Sequence, residues 1–398
     1  MSVRVRTQVV GAAAVALGVL AAPASSASAP AADGAHRGHR ATQRAMDRAV
    51  AAGVPGVTGR AVTAHGEWAG TSGVGDLRER TPRGPRDRYR VGSVTKTFVA
   101  TVLLQLQAEG RLRLDDTVGS WLPGLVRGNG HDGDRITVRQ LLNHTSGVFD
   151  YLADPVFQRH YATPEFLEHR YDTRPPEHWV RVAMRHRPQF RPGTGWGYSN
   201  TNYLLAGMVV ERVTGHPYGD EVRRRIIEPL HLRATSLPGT RHTLDGPASR
   251  AYSKLSAGPG GPTYDVTELN PSEAGAAGEM ISDSADLNRF YSALLRGRLL
   301  PARELAEMRT TVPATGRGPG VRYGLGLMRT KLSCGTTVWG HHGALQGSVT
   351  ESLTTNDGGH SLSVNFNGDW AGGPAGVVEA EFCGSARAGG AANSPSGT

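Results

Sequence analysis

A serine and a lysine three positions apart, Ser93 and Lys96, begin a long apolar segment of the sequence. Residues three apart share one face of a helix, so the Lys96 amine can reach the Ser93 hydroxyl. The helix N-terminus and the apolar neighbours Phe98, Val99 and Val102 favour loss of the lysine proton. Because a neutral amine can act as a base, the spacing predicts acyl-transfer chemistry on Ser93.

Lysine is rare in this chain. Of its 44 basic residues only three are lysines, namely Lys96, Lys254 and Lys331. Ser-x-x-Lys alone is a weak signal, since the spacing arises by chance and Lys96 could be a surface residue. Arginine cannot be deprotonated in a protein whereas a buried lysine can, so proton transfer would explain the exception at position 96.

A second group of polar residues, Tyr198, Ser199 and Asn200, precedes a helical pattern over Thr201–Thr214. A phenol close to a lysine can be held partly ionised, and the Asn200 amide can donate to a substrate carbonyl. The alternative is that Ser199 or Asn200 simply caps the helix. Both interpretations can hold together.

The third group is Gly340, His341, His342 and Gly343, followed by Ala344. Adjacent residues of a strand point to opposite faces, and no HExxH or CxxC pattern adds ligands, so a metal site is disfavoured. We expect one histidine, His341, to face a cleft as a proton-transfer or electrostatic group. No G-x-S-x-G motif occurs, which argues against a Ser/His/Asp triad.

The ends of the chain indicate export. Residues 1–29 run from two arginines through an apolar stretch to small residues, as in a signal peptide, which predicts a secreted, extracellular protein without a membrane anchor. Residues 30–40 and 385–398 are expected to be a disordered leader and a disordered, removable tail. The mature charge of +7 is scattered and comes with no nucleic-acid-binding motif.

Strand patterns near both ends enclose a helical middle, which predicts an α+β fold. Its antiparallel β-sheet, flanked by helices, would be built from both chain ends within one domain, 41–384, and a mostly helical region, about 110–275, would be inserted. Cys334 and Cys383 are expected to form a disulfide bond in an oxidising compartment, with free thiols as the alternative. The predicted elements are strands within Gly56–Ala69, helices at Ser93–Glu109, Thr137–Leu142, Thr201–Thr214 and Ser284–Arg296, strands at Tyr323–Arg329, Thr336–His341, Ser348–Thr354 and Ser361–Asn367, and a helix at Ala375–Phe382.

Taken in order, SxxK, YxN about 100 residues later and HxG near the C-terminus resemble the serine β-lactamase and penicillin-binding superfamily, in its class C β-lactamase-like branch. The resemblance runs from about residue 41 to 384 and includes VGSVTKTF, LLNHTSG, GYSNTNY and GHHG. It is strongest to the secreted D-alanyl-D-alanine carboxypeptidases. A β-lactamase/DD-peptidase-like fold is therefore expected.

The resemblance implies a role for each motif. Ser93 would attack the acyl carbonyl, Lys96 and Tyr198 would manage its proton, and His341 would stand where the family has the lysine of its KTG motif. The backbone N–H groups of Ser93 and Ala344 would form the oxyanion hole. No metal or organic cofactor is implied. The expected substrate-binding residues are Asn200, His342, Gly343, Ala344 and Gln346.

Departures from the carboxypeptidase pattern concern the substrate. The arginine and two threonines that hold a free carboxylate there correspond here to Met328, His342 and Ala344, while Arg329 should point to the other face. Three functions stay open: a D-Ala-D-Ala carboxypeptidase or transpeptidase; an esterase, D-amino-acid amidase, aminopeptidase or β-lactamase; and a non-hydrolytic protein that binds β-lactams or cell-wall peptides. The partners would be D-Ala-containing peptides, esters or amides, with β-lactams as inhibitors or substrates. The enzyme itself is expected to be a monomer.

Overall fold

The computed structural model describes residues 38–256, 258 and 260–384. The predicted signal peptide, most of the leader and the tail lie outside these residues. The first helix, α1 (Arg40–Ala51), begins before the predicted boundary at residue 41. His39 is buried, stacks on Trp68 at 5.2 Å between ring centroids, and its Nδ1 lies 2.9 Å from Glu381 Oε2. Residues 38–40 therefore belong to the fold and not to a disordered leader.

Eight antiparallel strands form the central sheet, which confirms the predicted fold class. The spatial order is β2-β1-β8-β7-β6-β5-β4-β3, so the first hairpin pairs with the last strand and both chain ends build the sheet. The strands are β1 (Gly56–Thr63), β2 (Gly66–Gly73), β3 (Val312–Pro313), β4 (Val321–Tyr323), β5 (Met328–Lys331), β6 (Thr337–Leu345), β7 (Ser348–Thr355) and β8 (Ser361–Phe366).

Two strand boundaries differ from the prediction. A single strand over Tyr323–Arg329 is wrong, because a turn with Gly326 at φ +67° separates β4 from β5 and lets them pair with each other. Strand β6 also continues through Leu345 instead of ending near His341. The GHHG segment thus lies inside a paired strand.

The helices surround the sheet, and most lie between β2 and β3 in the chain. Two-residue ladders join Tyr89–Arg90 to Ile281–Ser282, Arg127–Gly128 to His131–Asp132, and Tyr252–Ser253 to Tyr264–Asp265. Among residues 38–256, 258 and 260–384, no helix has both the length and the hydrophobicity to cross a bilayer. The further helices are α2 (Thr95–Ala108), α3 (Val118–Trp121), α4 (Val138–Leu142), α5 (Pro155–Ala162), α6 (Phe166–His169), α7 (Pro176–Met184), α8 (Asn200–Thr214), α9 (Tyr218–Val222) continued by a π-helical turn Arg223–Ile227, α10 (Gly275–Gly278), α11 (Ser284–Leu295), α12 (Ala302–Met308) and α13 (Ala375–Cys383).

The two faces of the sheet are covered by different helices. On one face the apolar side chains of Val364 and Phe366 pack with those of α1 and α13. On the other face Ser363 donates to Asn288 Oδ1 of α11. Helix α2 lies on this second side and is buried from Thr95 to Leu104 on all its faces, so its first turn is held rigidly in the protein interior.

The predicted disulfide between Cys334 and Cys383 is present and joins the turn after β5 to the end of α13. We expect Cys334→Ser/Cys383→Ser to lower the free energy of unfolding by about 2–4 kcal/mol, because the bond restricts a long loop in the unfolded chain. Urea unfolding of the oxidised wild type and the variant measures this. Since the bond lies by α13, kcat/KM should stay unchanged; equal stability of the two proteins would contradict the prediction.

Candidate active site

Ser93 lies in a 3-10 turn, Gly92–Val94, directly before α2. Strand β6 passes against this turn so closely that only glycine fits at the contact. A Cβ placed on Gly343 would lie 2.0 Å from the Val91 carbonyl oxygen and 2.7 Å from the Ser93 nitrogen, and one on Gly92 would lie 2.6 Å from the Ala344 nitrogen. The two glycines therefore bring the backbone of Ala344 next to the nucleophile, where the predicted oxyanion hole requires it.

Lys96 is fully buried one turn after Ser93, with three polar atoms around its amine. Its Nζ lies 2.8 Å from Ser93 Oγ, 2.7 Å from Asn200 Oδ1 and 2.7 Å from the Ala277 carbonyl oxygen. Burial lowers the pKa of Lys96 well below its ordinary value. A neutral amine has two N–H groups, which Asn200 and Ala277 accept, so its lone pair is left for the Ser93 proton.

Asp150 fixes Asn200 in this arrangement, and the sequence analysis missed it. Its carboxylate accepts the backbone N–H of Asn200 at 3.0 Å and the Asn200 side-chain amide, also at 3.0 Å. Asp150, not Ser199, thereby satisfies the first turn of α8, because the Ser199 side chain makes no capping bond and lies 3.3 Å from the Phe149 carbonyl. Ser199 occupies the N-cap position and the helix begins at Asn200, as the capping interpretation predicted, but Ser199 makes no side-chain capping bond. The donation from Asn200 to substrate stays a prediction.

Tyr198 places its ring 5.0 Å from Lys96 Nζ. Its hydroxyl is buried and makes no direct hydrogen bond to another described residue. Burial raises the pKa of Tyr198, while the Arg317 charge and the Ser93 side chain act the other way. The phenol is therefore neutral and not partly ionised as predicted, because the cost of burying a phenolate outweighs the nearby positive charge.

His341 and His342 do not point to opposite sides as predicted. Their ring centroids lie 5.5 Å apart, and His341 Nδ1 donates to the carbonyl of His342, which turns its ring along the strand. His341 Nε2 then accepts from the Tyr323 hydroxyl at 2.8 Å. Burial lowers the pKa of both histidines, that of His342 to about 3, so both rings are neutral.

Arg317 is a second residue that the sequence analysis missed. It belongs to the loop between β3 and β4, and its guanidinium carbon lies 4.3 Å from the centroid of the Tyr198 ring. Its Nη1 donates to His342 Nε2 at 3.3 Å. Among the described residues it forms no ion pair with a carboxylate, so a positive charge stands free beside the Tyr198 phenol. The only sequence signal is an arginine within TGRGPG.

The remaining residues that the sequence analysis discussed for substrate binding lie in different surroundings. Met328 is buried, with its sulfur 3.4 Å from His342 Nδ1. Arg329 pairs across the ladder with Trp339 and points its guanidinium toward Thr337, as strand alternation predicted. Gln346 donates to the Tyr161 carbonyl at 2.8 Å, which ties its amide to α5 instead of to Ser93.

A group of possible metal ligands, His160, Glu165 and His169, lies apart from these residues near α5 and α6. The two imidazoles stack on each other at 3.9 Å, and Arg159 Nε lies 3.4 Å from the Glu165 carboxylate. Stacked rings do not aim their lone pairs at one point, and the guanidinium opposes a metal cation. We therefore assign no metal to this group.

Two substitutions should move the pH profile in opposite directions. Burial lowers the pKa of Lys96 most, the Asp150 carboxylate raises it and the Arg317 guanidinium lowers it. Since Lys96 must be neutral to act, activity rises with pH through its pKa. Asp150→Asn should therefore shift the acidic limb of kcat/KM to lower pH, and Arg317→Met should shift it to higher pH.

The control is Arg303→Met, which removes a charge whose side chain is 79% exposed on α12. Its acidic limb should match that of the wild type, because solvent screens such a charge. Shifts of the same sign in Asp150→Asn and Arg317→Met would contradict Lys96 as the titrating base.

A buried lysine whose amine contacts a serine hydroxyl, beside a buried tyrosine, is the arrangement of a serine acyl-enzyme hydrolase. Residues 40–374 match the family described as Beta-lactamase, and the chain belongs to this family. The fold and the predicted superfamily are both confirmed.

Three similar proteins place the chain within that family. A D-stereospecific amidohydrolase from Streptomyces sp. is 61% identical, with a TM-score of 0.84 over 87% of this chain and 99% of that one. A D-amino acid amidase from Ochrobactrum anthropi SV3, complexed with L-phenylalanine amide, is 31% identical, with a TM-score of 0.73 over 85% and 95%. Penicillin-binding protein 4* of Bacillus subtilis (strain 168) is 26% identical over 64% of this chain, which spans 55% of that relative's length.

Proposed function

We propose that this member of the β-lactamase family is an exported D-stereospecific amidohydrolase, which cleaves amides and esters of D-amino acids through an acyl-enzyme on Ser93. The observation that carries the proposal is the contact of the buried Lys96 amine with Ser93 Oγ at 2.8 Å, at a site where burial lowers the lysine pKa. Similarity to an amidohydrolase and an amidase that both carry D-specificity in their names supports the substrate class. Export follows from the predicted signal peptide, residues 1–29.

In the proposed reaction the proton of Ser93 moves to Lys96 Nζ while Oγ bonds to the acyl carbon. The backbone N–H groups of Ser93 and Ala344 stabilise the oxyanion that forms. As the C–N bond breaks, the proton passes from Lys96 to the leaving amine through the Tyr198 hydroxyl, which has no other described partner. Water then attacks the ester carbon and gives a proton to the same pair, which passes it to Ser93 Oγ as the ester C–O bond breaks and the acid is released.

The residues around the nucleophile support an amide with a neutral leaving group. Where the carboxypeptidases have an arginine and two threonines for a free carboxylate, this chain has a buried thioether at Met328, a neutral ring at His342 and a methyl group at Ala344. None of these three side chains supplies a charge or a hydroxyl to a carboxylate. A substrate without that carboxylate therefore loses no binding contact with these three side chains.

One observation favours a second candidate, a D-Ala-D-Ala carboxypeptidase. The free guanidinium of Arg317 lies over the Tyr198 ring and could receive a carboxylate from a different direction. In that case Arg317→Met would slow cleavage of diacyl-D-Ala-D-Ala on the pH-independent plateau, where cleavage of a simple amide would be unchanged.

The two candidates separate in one experiment. Initial rates would be measured on D-phenylalanine amide, L-phenylalanine amide and a diacyl-D-Ala-D-Ala peptide, with wild type, Ser93→Ala and Arg317→Met. The proposal expects D over L by at least about 100-fold, loss of all activity in Ser93→Ala, and slower cleavage of the peptide than of the amide. Faster cleavage of the peptide, lost in Arg317→Met, would establish the carboxypeptidase instead.

A further inference from the structure

A cavity of about 370 Å³ lies outside the catalytic group, between the hairpin of residues 127–132 and the segment 187–192. Its volume lies in the range of small-molecule sites. Ser93, Lys96 and Tyr198 do not line it. No step of the proposed reaction uses it.

The charge of the cavity walls is predominantly positive. Arg135, Arg187 and Arg191 line it, and within the described part of the chain none of the three makes an ion pair or a side-chain hydrogen bond. One carboxylate, Asp132, lies on the same wall and accepts the backbone N–H of Asp134 at 3.0 Å. Three unpaired guanidinium groups against one carboxylate favour an anionic occupant.

His131 gives the second, independent indication. It is only 5% exposed, it lines the cavity, and neither ring nitrogen has a hydrogen-bond partner among the described residues. Burial lowers its pKa; the His186 carbonyl acts the other way without reaching hydrogen-bond geometry. A buried polar ring without a partner is costly, so the site is complete only when a ligand or water accepts from it.

The remaining walls are apolar and connect the cavity to the catalytic segment. Ile136, Pro188 and Phe190 line it, which suits a hydrophobic body attached to the anion. On its other side the Phe190 ring packs against the chain before Tyr198: a Cβ on Gly195 or Gly197 would lie 3.0 Å from the ring. Phe190 therefore contacts both the cavity and the segment that leads to Tyr198.

We propose that this cavity is a second binding site, for an organic carboxylate with an aromatic or aliphatic body. The arginines would pair with the carboxylate, the neutral His131 would donate one hydrogen bond to it, and Ile136 and Phe190 would contact the apolar body. A single negative charge fits better than a double one, because Asp132 shares the wall and His131 is uncharged.

Crystals of the full protein soaked in 4-bromophenylacetate would locate the site through the anomalous signal of bromine, and calorimetry would give the affinity. We expect bromine in the cavity and a dissociation constant raised at least about tenfold in Arg187→Gln/Arg191→Gln. The control, Arg181→Gln/Arg185→Gln, removes the same charge from exposed positions outside the lining and should bind as the wild type does.

Three results would overturn the proposal. Bromine only in the cleft at Ser93 would mean that the cavity binds nothing of this class. If the affinity for 4-bromophenylacetate fell equally in the two double variants, the effect would come from the overall positive charge of the protein and not from the cavity. Tighter binding of 4-bromophenyl phosphate, or equal binding of the neutral 4-bromophenylacetamide, would show that the cavity does not select a carboxylate.

Discussion

Lys96→Met is expected to lower kcat/KM toward D-phenylalanine amide by about 10³ to 10⁴, because in the proposed mechanism Lys96 is the base that takes the Ser93 proton. Methionine has nearly the same length and is apolar, so it fits the buried position of Lys96. The fold should persist, with a lower unfolding temperature than the wild type, because Asn200 Oδ1 and the Ala277 carbonyl lose the lysine as donor.

Lys96→Arg should be as inactive as Lys96→Met, since a guanidinium cannot give up its proton at this position. The matched control is Lys331→Met, which changes an exposed lysine of β5 and should leave kcat/KM unaltered. Retention of more than a tenth of the activity in Lys96→Met would mean that another group deprotonates Ser93.

Gly343→Ala is expected to lower kcat by about 10² to 10³, the usual cost of losing an oxyanion-hole donor. The new methyl group would meet the Val91 carbonyl and the Ser93 nitrogen, so β6 must move away from the turn that carries the nucleophile. That movement displaces the Ala344 N–H from the position at which the oxyanion forms. KM should change much less than kcat, because the interaction belongs to the transition state.

Gly376→Ala serves as the control for this substitution. Gly376 lies in α13, and a methyl group added there would meet no atom of another described segment within 4 Å, so alanine fits and favours the helix. Its activity should equal that of the wild type. An active Gly343→Ala enzyme with an unchanged unfolding temperature would show that the close contact between β6 and the turn is not needed for catalysis.

Local sequence patterns predicted the parts of the site that one helix turn or one strand determines. Ser93 and Lys96 share a helix face whatever surrounds them, and the apolar residues of β8, Leu362, Val364 and Phe366, alternate with polar ones as in a strand. The order of the elements was enough to predict a sheet made from both ends of the chain. Its eight-strand order and the contact between Gly92 and Gly343 depend on the tertiary structure.

The missed residues act across long distances in the chain. Asp150 caps α8 from a segment 50 residues earlier, and Arg317 reaches Tyr198 from a loop 119 residues later. Neither stands in a pattern that separates it from the other acidic or basic residues. The neutral state of Tyr198 was also missed, because burial, which decides it, is a property of the folded protein.

The most direct test of the account is intact-mass spectrometry of the wild type and Ser93→Ala, quenched at short times after mixing with the 4-nitrophenyl ester of D-phenylalanine. The account predicts a transient D-phenylalanyl adduct in the wild type, mapped by proteolysis to the peptide that contains Ser93, and no adduct in Ser93→Ala. Turnover of the ester by Ser93→Ala, or an adduct on a different residue, would contradict it.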